Sequence, residues 1–141
     1  MSPKVFIDSD VVISSLISRK GAAHLLLNSK NLEYFVSNLS IKELKIVTDR
    51  LDIDRLSLKN LIKNRFKLIE LKETAKELKD KFNDYVSDVN DAHIIGGACE
   101  AGVKFLISYN IKDFNVDKIK KDFDIIVITP ANFLQYLRSL S

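Results

Sequence analysis

The stretch Lys4-Val-Phe-Ile-Asp8-Ser-Asp10 decides the fold, because an apolar run in it ends directly in two carboxylates. A short apolar run of this kind is typical of a strand that is buried on both faces of a parallel sheet. In open parallel sheets, ligands bind just outside the carboxyl ends of the strands. We therefore interpret Asp8 as a carboxylate placed for chemistry rather than for packing.

Short apolar strands alternate with helices along the rest of the chain. The patterns predict strands at residues 5–7, 34–36, 67–71, 105–108 and 125–128. They predict helices at residues 11–17, 22–27, 44–51, 56–66, 74–85 and 92–101, and a last helix that starts at Thr129-Pro130. The alternation predicts an α/β fold, a three-layer α/β/α sandwich with a central, mainly parallel sheet, formed by residues 1–141 as a single domain. We expect the charge-rich residues 49–84 to form a helical pair beside that sheet.

The composition is that of an ordinary globular protein and excludes several classes of site. Of the 141 residues, 46% are hydrophobic and 29% are charged, which argues against disorder. The net charge of +3 is mild and permits only weak attraction to nucleic acid. Cys99 is the single cysteine, so an intrachain disulfide and a cysteine-rich zinc site are excluded. No apolar stretch approaches the roughly 20 residues of a membrane span, so we expect a cytoplasmic protein without membrane association.

Four acidic residues lie where a predicted strand ends or a predicted helix begins, namely Asp8, Glu43, Asp91 and Asp113. If the fold brings these side chains together, their negative charge requires a cation. Hard divalent cations such as Mg²⁺ and Mn²⁺ prefer oxygen ligands. An acidic pocket that holds such an ion points to phosphate chemistry.

Purely structural roles compete with chemistry at the first two of these positions. Asp8 can cap the helix that follows it, although Asp10 can take that role instead and leave Asp8 free. Glu43 comes three residues after Ser40, and this spacing matches a capping box at the start of a helix. Both interpretations stay open at the level of sequence.

The same competition holds further along the chain. Either Asp88 or Asp91 can cap the apolar helix that they precede, where the helix dipole favours both carboxylates. Asp113 can be a turn residue or the cap of a helix after residue 114. Ser108 and Asn110 follow a buried strand and can donate hydrogen bonds to phosphate or to a metal-bound water.

Five motifs follow one another along nearly the whole chain, namely Asp8-Ser-Asp10 with Ser14, residues 37–44 with Glu43, Asp88-Val-Asn-Asp91, Ser108-Tyr-Asn110 with Asp113, and residues 126–134. In their order and context they resemble the PIN-domain ribonuclease family, in particular its VapC-like toxin branch. Two positions depart from the family pattern. Asp10 stands where the family usually has asparagine, and Asn110 stands where many members have a fourth aspartate.

The resemblance implies a PIN-like fold and a metal-dependent endoribonuclease. It implies that Mg²⁺ or Mn²⁺ is bound by Asp8, Glu43 and Asp91, with Asp113 or Asn110 completing the site. It also implies substrate-binding roles for Ser9, Ser108 and Asn110. The implied partners are an RNA substrate, a small antitoxin protein and a second copy of the chain in a homodimer.

Two rival functions remain open. The run Phe6-Ile-Asp8-Ser-Asp10 resembles the first motif of haloacid-dehalogenase-type phosphatases, in which Asp8 would be a nucleophile and Asp10 a general acid. Alternatively, Asn110 suggests a PIN-like module that has lost catalysis and only binds RNA or protein. Titration with Mn²⁺ distinguishes the last case, because an intact site of three acids binds the ion.

Other residues carry weaker signals. Two groups of basic residues can face RNA, and they are Lys59, Lys63, Arg65 and Lys67, and Arg19 with Lys20. A solvated surface is the simpler interpretation of both groups. Cys99 and Tyr109 are interpreted as packing residues, and His93 as a neutral residue on a helix face. The pair Gly96-Gly97 inside an apolar helix predicts close packing of that helix on a strand.

Overall fold

A computed structural model describes residues 2–140 of the chain. Within that range five strands form one sheet, and in chain order they are β1 (Lys4–Ile7), β2 (Glu33–Ser37), β3 (Phe66–Ile69), β4 (Phe105–Ile107) and β5 (Ile126–Ile128). Their spatial order is β3-β2-β1-β4-β5, and every pairing between neighbours is parallel. The predicted α/β class is confirmed, with a sheet that is wholly parallel.

Helices connect the strands. They are α1 (Ser9–Ile17), α2 (Ala22–Leu27), α3 (Asn38–Arg50), α4 (Arg55–Arg65), α5 (Ala75–Phe82), α6 (Ala92–Ala101), α7 (Val116–Phe123) and α8 (Pro130–Ser139). Short 3₁₀ turns occupy Asn83–Tyr85, Val89–Asp91 and Ile111–Asp113. No helix among residues 2–140 has both the length and the apolar character that crossing a membrane requires.

Alternate residues of the central strand face opposite layers of helices. Val5 and Ile7 pack into an apolar cluster with side chains of α1, α2, α3, α4 and α8. Phe6 packs into a second cluster with side chains of α5, α6 and α7. All three strand residues are fully buried, as expected for a strand covered on both faces. The predicted three-layer sandwich is therefore confirmed.

Residues 49–84 do not form a helical pair beside the sheet, and that prediction is wrong. The segment contains β3, which pairs with β2 and forms one edge of the sheet. Leu58 of α4 belongs to the first apolar cluster, whereas Leu78 of α5 belongs to the second. The strand itself was predicted, but its place in the sheet was not, because an edge strand carries few buried side chains and Leu68 is 48% exposed.

The topology places a crevice at the carboxyl ends of β1 and β4. The chain moves outward from β1 through β2 to β3, and then returns to place β4 on the other side of β1. A reversal of this kind separates the loops that follow the two strands, and it is where open α/β sheets bind ligands. Asp8 follows β1 and Ser108 follows β4 at this point.

Gly97 lets α6 lie close to the centre of the sheet. A Cβ atom at this position would come within 2.5 Å of the ring of Phe6, which is enclosed in the core. A Cβ at Gly96 would meet the mobile end of the Leu78 side chain at 2.7 Å. The predicted close packing on a strand is confirmed for Gly97, whereas Gly96 packs against Leu78 of α5.

These two contacts predict different costs for alanine at neighbouring positions. We expect Gly97→Ala to lower the free energy of unfolding by roughly 1–3 kcal/mol, because the Phe6 ring has no space into which it can move. Gly96→Ala is the matched control, and it should cost less because the Leu78 methyl group can rotate away while alanine favours the helix. Urea denaturation of both variants measures the difference, and equal losses would contradict this account.

Candidate active site

Asp8 caps α1 and is fixed by two hydrogen bonds. The backbone N–H of Ser9 donates to its Oδ1 at 2.7 Å, and the Ser108 hydroxyl donates to its Oδ2 at 2.8 Å. The hydroxyl is fully buried and also accepts a hydrogen bond from the Asn110 N–H at 3.0 Å. Ser108 therefore holds the Asp8 carboxylate across the gap between β1 and β4.

Asp10 is not the cap of α1, so that alternative is wrong. Its Oδ2 accepts a hydrogen bond from the backbone N–H of Tyr109 at 3.0 Å, which ties α1 to the loop after β4. Its Oδ1 is buried and has no hydrogen-bond partner. The side chain of Tyr109 is 41% exposed, so its interpretation as a packing residue is also wrong.

Glu43 does not belong to a capping box. Helix α3 begins directly after β2, and Ser37 is its cap because the Ser37 hydroxyl accepts a hydrogen bond from the Ser40 N–H at 3.0 Å. Glu43 is thus inside the helix, one full turn after Ser40, where its carboxylate is not needed by the helix terminus. The capping-box prediction failed because a second serine three residues earlier offers an equivalent cap at the true end of the strand.

The partner of Glu43 is His93, which the sequence did not reveal. His93 Nε2 lies 3.2 Å from Glu43 Oε2, and this contact links α6 to α3. The hydrogen bond from His93 is the main cause of a lowered pKa of Glu43. His93 comes two residues after Asp91, so its position beside a predicted acid was the available signal, but only the packing of two helices shows the contact.

Asp91 occupies the cap position of α6 without using its side chain there. The cap of the preceding 3₁₀ turn is Asp88, whose carboxylate accepts a hydrogen bond from Asn90 N–H at 3.0 Å. The Asp91 carboxylate makes no capping bond. Burial, together with the charges of Asp88 and Glu43, raises the pKa of Asp91 to about 6.

Asp113 ends a 3₁₀ turn and is not a helix cap. Asn115 caps α7 by accepting a hydrogen bond from the Lys118 N–H at 3.3 Å. Asp113 is half-buried, and its backbone carbonyl accepts a hydrogen bond from the Ser87 N–H at 2.8 Å. Its charge contributes to the raised pKa of Asp91.

The four predicted acids form one electrostatically linked group. Burial, followed by the charge of Asp10 and more weakly that of Asp91, raises the pKa of Asp8 to about 8. Asp91 is in turn influenced by Glu43 and Asp113. The fold therefore concentrates negative charge at the crevice, where each carboxylate makes the ionisation of its neighbours less favourable.

The donor chemistry of this group fits a hard divalent cation, since all four side chains offer carboxylate oxygens. The geometry is less complete. Among residues 2–140, no group of three or more His, Cys, Asp or Glu side chains is arranged so that it could hold a metal ion. The acids share one region of negative charge without converging on one point.

Two residues of the first basic group, Lys67 and Arg65, make contacts within the protein. Lys67 Nζ pairs with Glu33 Oε1 at 2.5 Å, and an Arg65 N–H donates to Asn28 Oδ1 at 3.4 Å. Lys59 and Lys63 line a groove between α3 and α4.

Cys99 is half-buried, and burial raises the pKa of its thiol to about 11, which agrees with a packing role.

Asp8 is expected to destabilise the metal-free protein at alkaline pH. A pKa raised from 3.8 to about 8 means that the folded state keeps a proton that the unfolded state has lost. Stability is therefore lost as the pH rises between these values, at roughly 1.4 kcal/mol per pH unit for a fully titrating group. Asp8→Asn should raise the melting temperature at pH 8.5 by about 3 °C or more and change it much less at pH 4.5.

Thermal denaturation in EDTA at both pH values measures this effect. Asp80→Asn, which removes an exposed carboxylate on α5, is the control and should leave the pH profile unchanged. If Asp8→Asn and Asp80→Asn shift the melting temperature equally at both pH values, the Asp8 carboxylate carries no burial penalty.

Comparison with known proteins gives a family and two similar structures. The family model described as PIN domain matches residues 4–112. The structure of VapBC2 from Rickettsia felis, bound to a DNA fragment from their promoter, aligns with a TM-score of 0.60 at 14% identity and covers 89% of this chain and 98% of that chain. VapC20 from Mycobacterium tuberculosis, a Sarcin-Ricin loop cleaving toxin, aligns with a TM-score of 0.57 at 16% identity over 86% of this chain and 98% of that chain. No curated protein matches the sequence significantly.

Proposed function

This chain belongs to the PIN-domain family, and from that premise we propose that it is a metal-dependent endoribonuclease of the VapC-like toxin branch. The observation that carries the proposal is the linked group of carboxylates at the crevice between β1 and β4, in which Asp8 has a pKa of about 8. Buried like charges with perturbed pKa values are typical of functional sites. We propose that all 141 residues form one domain around it.

In this proposal Asp8, Glu43 and Asp91 hold Mg²⁺ or Mn²⁺, and Asp113 completes the site. When bound, such an ion would lower the pKa of a water that acts as nucleophile and would stabilise the leaving oxygen. Asp8 would have to be in its carboxylate form to ligate the ion. His93 keeps Glu43 ionised and turned toward α6, because its ring nitrogen lies 3.2 Å from the Glu43 carboxylate.

The polar residues around the acids have separate tasks. The buried Ser108 hydroxyl acts on the substrate through Asp8, whose Oδ2 it orients at 2.8 Å. Asn110 is exposed and contacts the RNA, and Ser9, which is buried, is the third residue that we assign to substrate binding. From the resemblance of the sequence motifs to the VapC-like branch, we further propose a small antitoxin partner, a homodimer and a cytoplasmic location.

A catalytically inactive PIN-like module is the second candidate. It is favoured by Asn110, which stands where many members of the family have a fourth aspartate. The haloacid-dehalogenase alternative is not retained, because the family match covers both the opening motif and the residues through 112.

Removal of one acid is expected to abolish cleavage. Purified protein is incubated with a mixed structured RNA in Mn²⁺, in Mg²⁺ and in EDTA, and fragments are resolved by gel electrophoresis. Asp91→Asn should reduce metal-dependent cleavage roughly 100-fold or more, since even residues behind the ligands affect activity 10–100-fold. Asp117→Asn, which removes an exposed carboxylate on α7, should cleave like the wild type.

Calorimetric titration with Mn²⁺ separates the two candidates. The ribonuclease requires that the wild type binds the ion and that Asp91→Asn binds it more weakly. A wild type that neither binds Mn²⁺ nor cleaves any RNA would leave the binding module as the function.

A further inference from the structure

A groove of about 710 Å³ lies between α3 and α4. None of the four predicted acids lines it, so it is separate from the crevice at the ends of β1 and β4. Helix α4 lines it from Arg55 to Lys63, which makes a wall about 12 Å long at roughly 1.5 Å per residue. The groove is therefore an extended surface that the proposed cleavage reaction does not use.

The floor of the groove is apolar. Leu44 is fully buried and Leu58 is 5% exposed, and both belong to the first apolar cluster. Ile41 and Ile62 line the groove and are packed against that cluster. The polar residue of the floor is Thr48, whose hydroxyl already donates to the Leu44 carbonyl at 2.8 Å. An occupant of the floor therefore has to bring apolar side chains, because the hydroxyl there already has a partner.

The rim of the groove is positively charged. Its charged residues are Lys45, Asp49, Arg55, Lys59 and Lys63. Asp49 and Arg55 neutralise each other, since the guanidinium donates to both carboxylate oxygens at 2.7 and 2.8 Å. The three lysines are exposed, and within residues 2–140 none of them takes part in an ion pair. Uncompensated positive charge therefore lies on both walls, on α3 and on α4.

We propose that this groove binds an acidic amphipathic helix of a partner protein. Its apolar face lies on the floor, and carboxylates on both edges of that face pair with Lys45 on one wall and with Lys59 and Lys63 on the other. An amphipathic helix in an apolar groove is a recurring mode of recognition. The proposal goes beyond the ribonuclease function and does not depend on it.

The combination of floor and rim disfavours other occupants. RNA phosphates would pair with the lysines but would leave the apolar floor without a partner. A second copy of the chain, docked groove to groove, would bring the same cations against each other. A fatty acid has one carboxylate, which cannot pair with lysines on both walls.

A stapled helical peptide of roughly 15 residues is the probe, because short unconstrained helices are marginal in water. It carries leucines on one face and glutamates on both edges of that face, and a second peptide has lysines in place of the glutamates. Fluorescence anisotropy in EDTA measures binding of each labelled peptide to the full chain. We expect the acidic peptide to bind about tenfold or more tightly than the basic one, and equal affinities would overturn the proposal.

Charge reversal in the rim tests the lysines. Lys59→Glu together with Lys63→Glu should weaken binding of the acidic peptide about tenfold or more, because like charges then face each other. Lys72→Glu together with Lys76→Glu is the matched control, since these lysines are also exposed, have the same spacing and lie outside the groove. The control should bind like the wild type, and equal affinities of the two double variants would contradict the proposal.

Substitution of Ile62 tests the floor. Ile62→Ser should weaken binding of the acidic peptide about tenfold, whereas Leu56→Ser, at a residue that is 60% exposed on α4 outside the groove, should not. Thermal denaturation without peptide shows whether both variants are folded. If Ile62→Ser is unfolded, the charge reversals still decide, because they change exposed side chains.

RNA and a second copy are the competing outcomes. Single-stranded RNA that binds the wild type but not the Lys59→Glu, Lys63→Glu variant, with no binding of the acidic peptide, would assign the groove to RNA. A dimer in sedimentation equilibrium that dissociates in Ile62→Ser but not in Leu56→Ser would assign it to a second copy. None of these measurements requires cleavage, so their results are independent of whether the chain is a ribonuclease.

Discussion

The hydrogen bond from the Ser108 hydroxyl to Asp8 Oδ2, at 2.8 Å, is the contact on which the arrangement of the crevice depends. It joins the residue after β1 to the residue after β4, at the point where the order of the strands reverses. A second hydrogen bond, from the Tyr109 N–H to Asp10 Oδ2, also joins the start of α1 to the loop after β4. Without these bonds, the backbone N–H of Ser9 would be the one donor that the two neighbouring carboxylates keep from the bonds described above.

The rest of the sandwich stabilises a centre that by itself opposes folding. Asp8 and Asp91 both have pKa values above the usual range, mainly because burial disfavours their charged forms. The underlying strand offsets this cost, since Val5, Phe6 and Ile7 are fully buried. Gly97 allows α6 to approach that strand, which brings the start of α6, and with it Asp91, toward the end of β1. Residues 5–8 therefore supply both the apolar packing at the centre of the sheet and a buried carboxylate at its edge.

Much of the fold was predictable from local sequence, whereas the roles of the candidate acids stay predictions, and each error has its own physical cause. Residues 92–101 were recognised as a helix with the observed bounds, because a run of apolar and small residues after Asp91 is a local signal. The strand at Phe66–Ile69 was recognised without its place in the sheet, because edge strands lack an unbroken apolar pattern. The sequence offers two serines, Ser37 and Ser40, as the cap of α3, and the prediction chose the wrong one. The role of His93 was missed because its contact with Glu43 joins residues 50 positions apart.

Two neighbouring faces of helix α3 line two different grooves, and one of these faces carries Glu43. Glu43 and Val47 are four residues apart, so they lie on one face and together line the groove toward α1. Leu44 and Thr48 lie on the neighbouring face and line the groove toward α4 instead. A change in the position of α3 would therefore move Glu43, the wall of the groove toward α1 and the groove toward α4 at once. His93 is the contact that resists such a movement from the other side of the crevice, which makes the Glu43–His93 pair a structural link between the acids and both grooves.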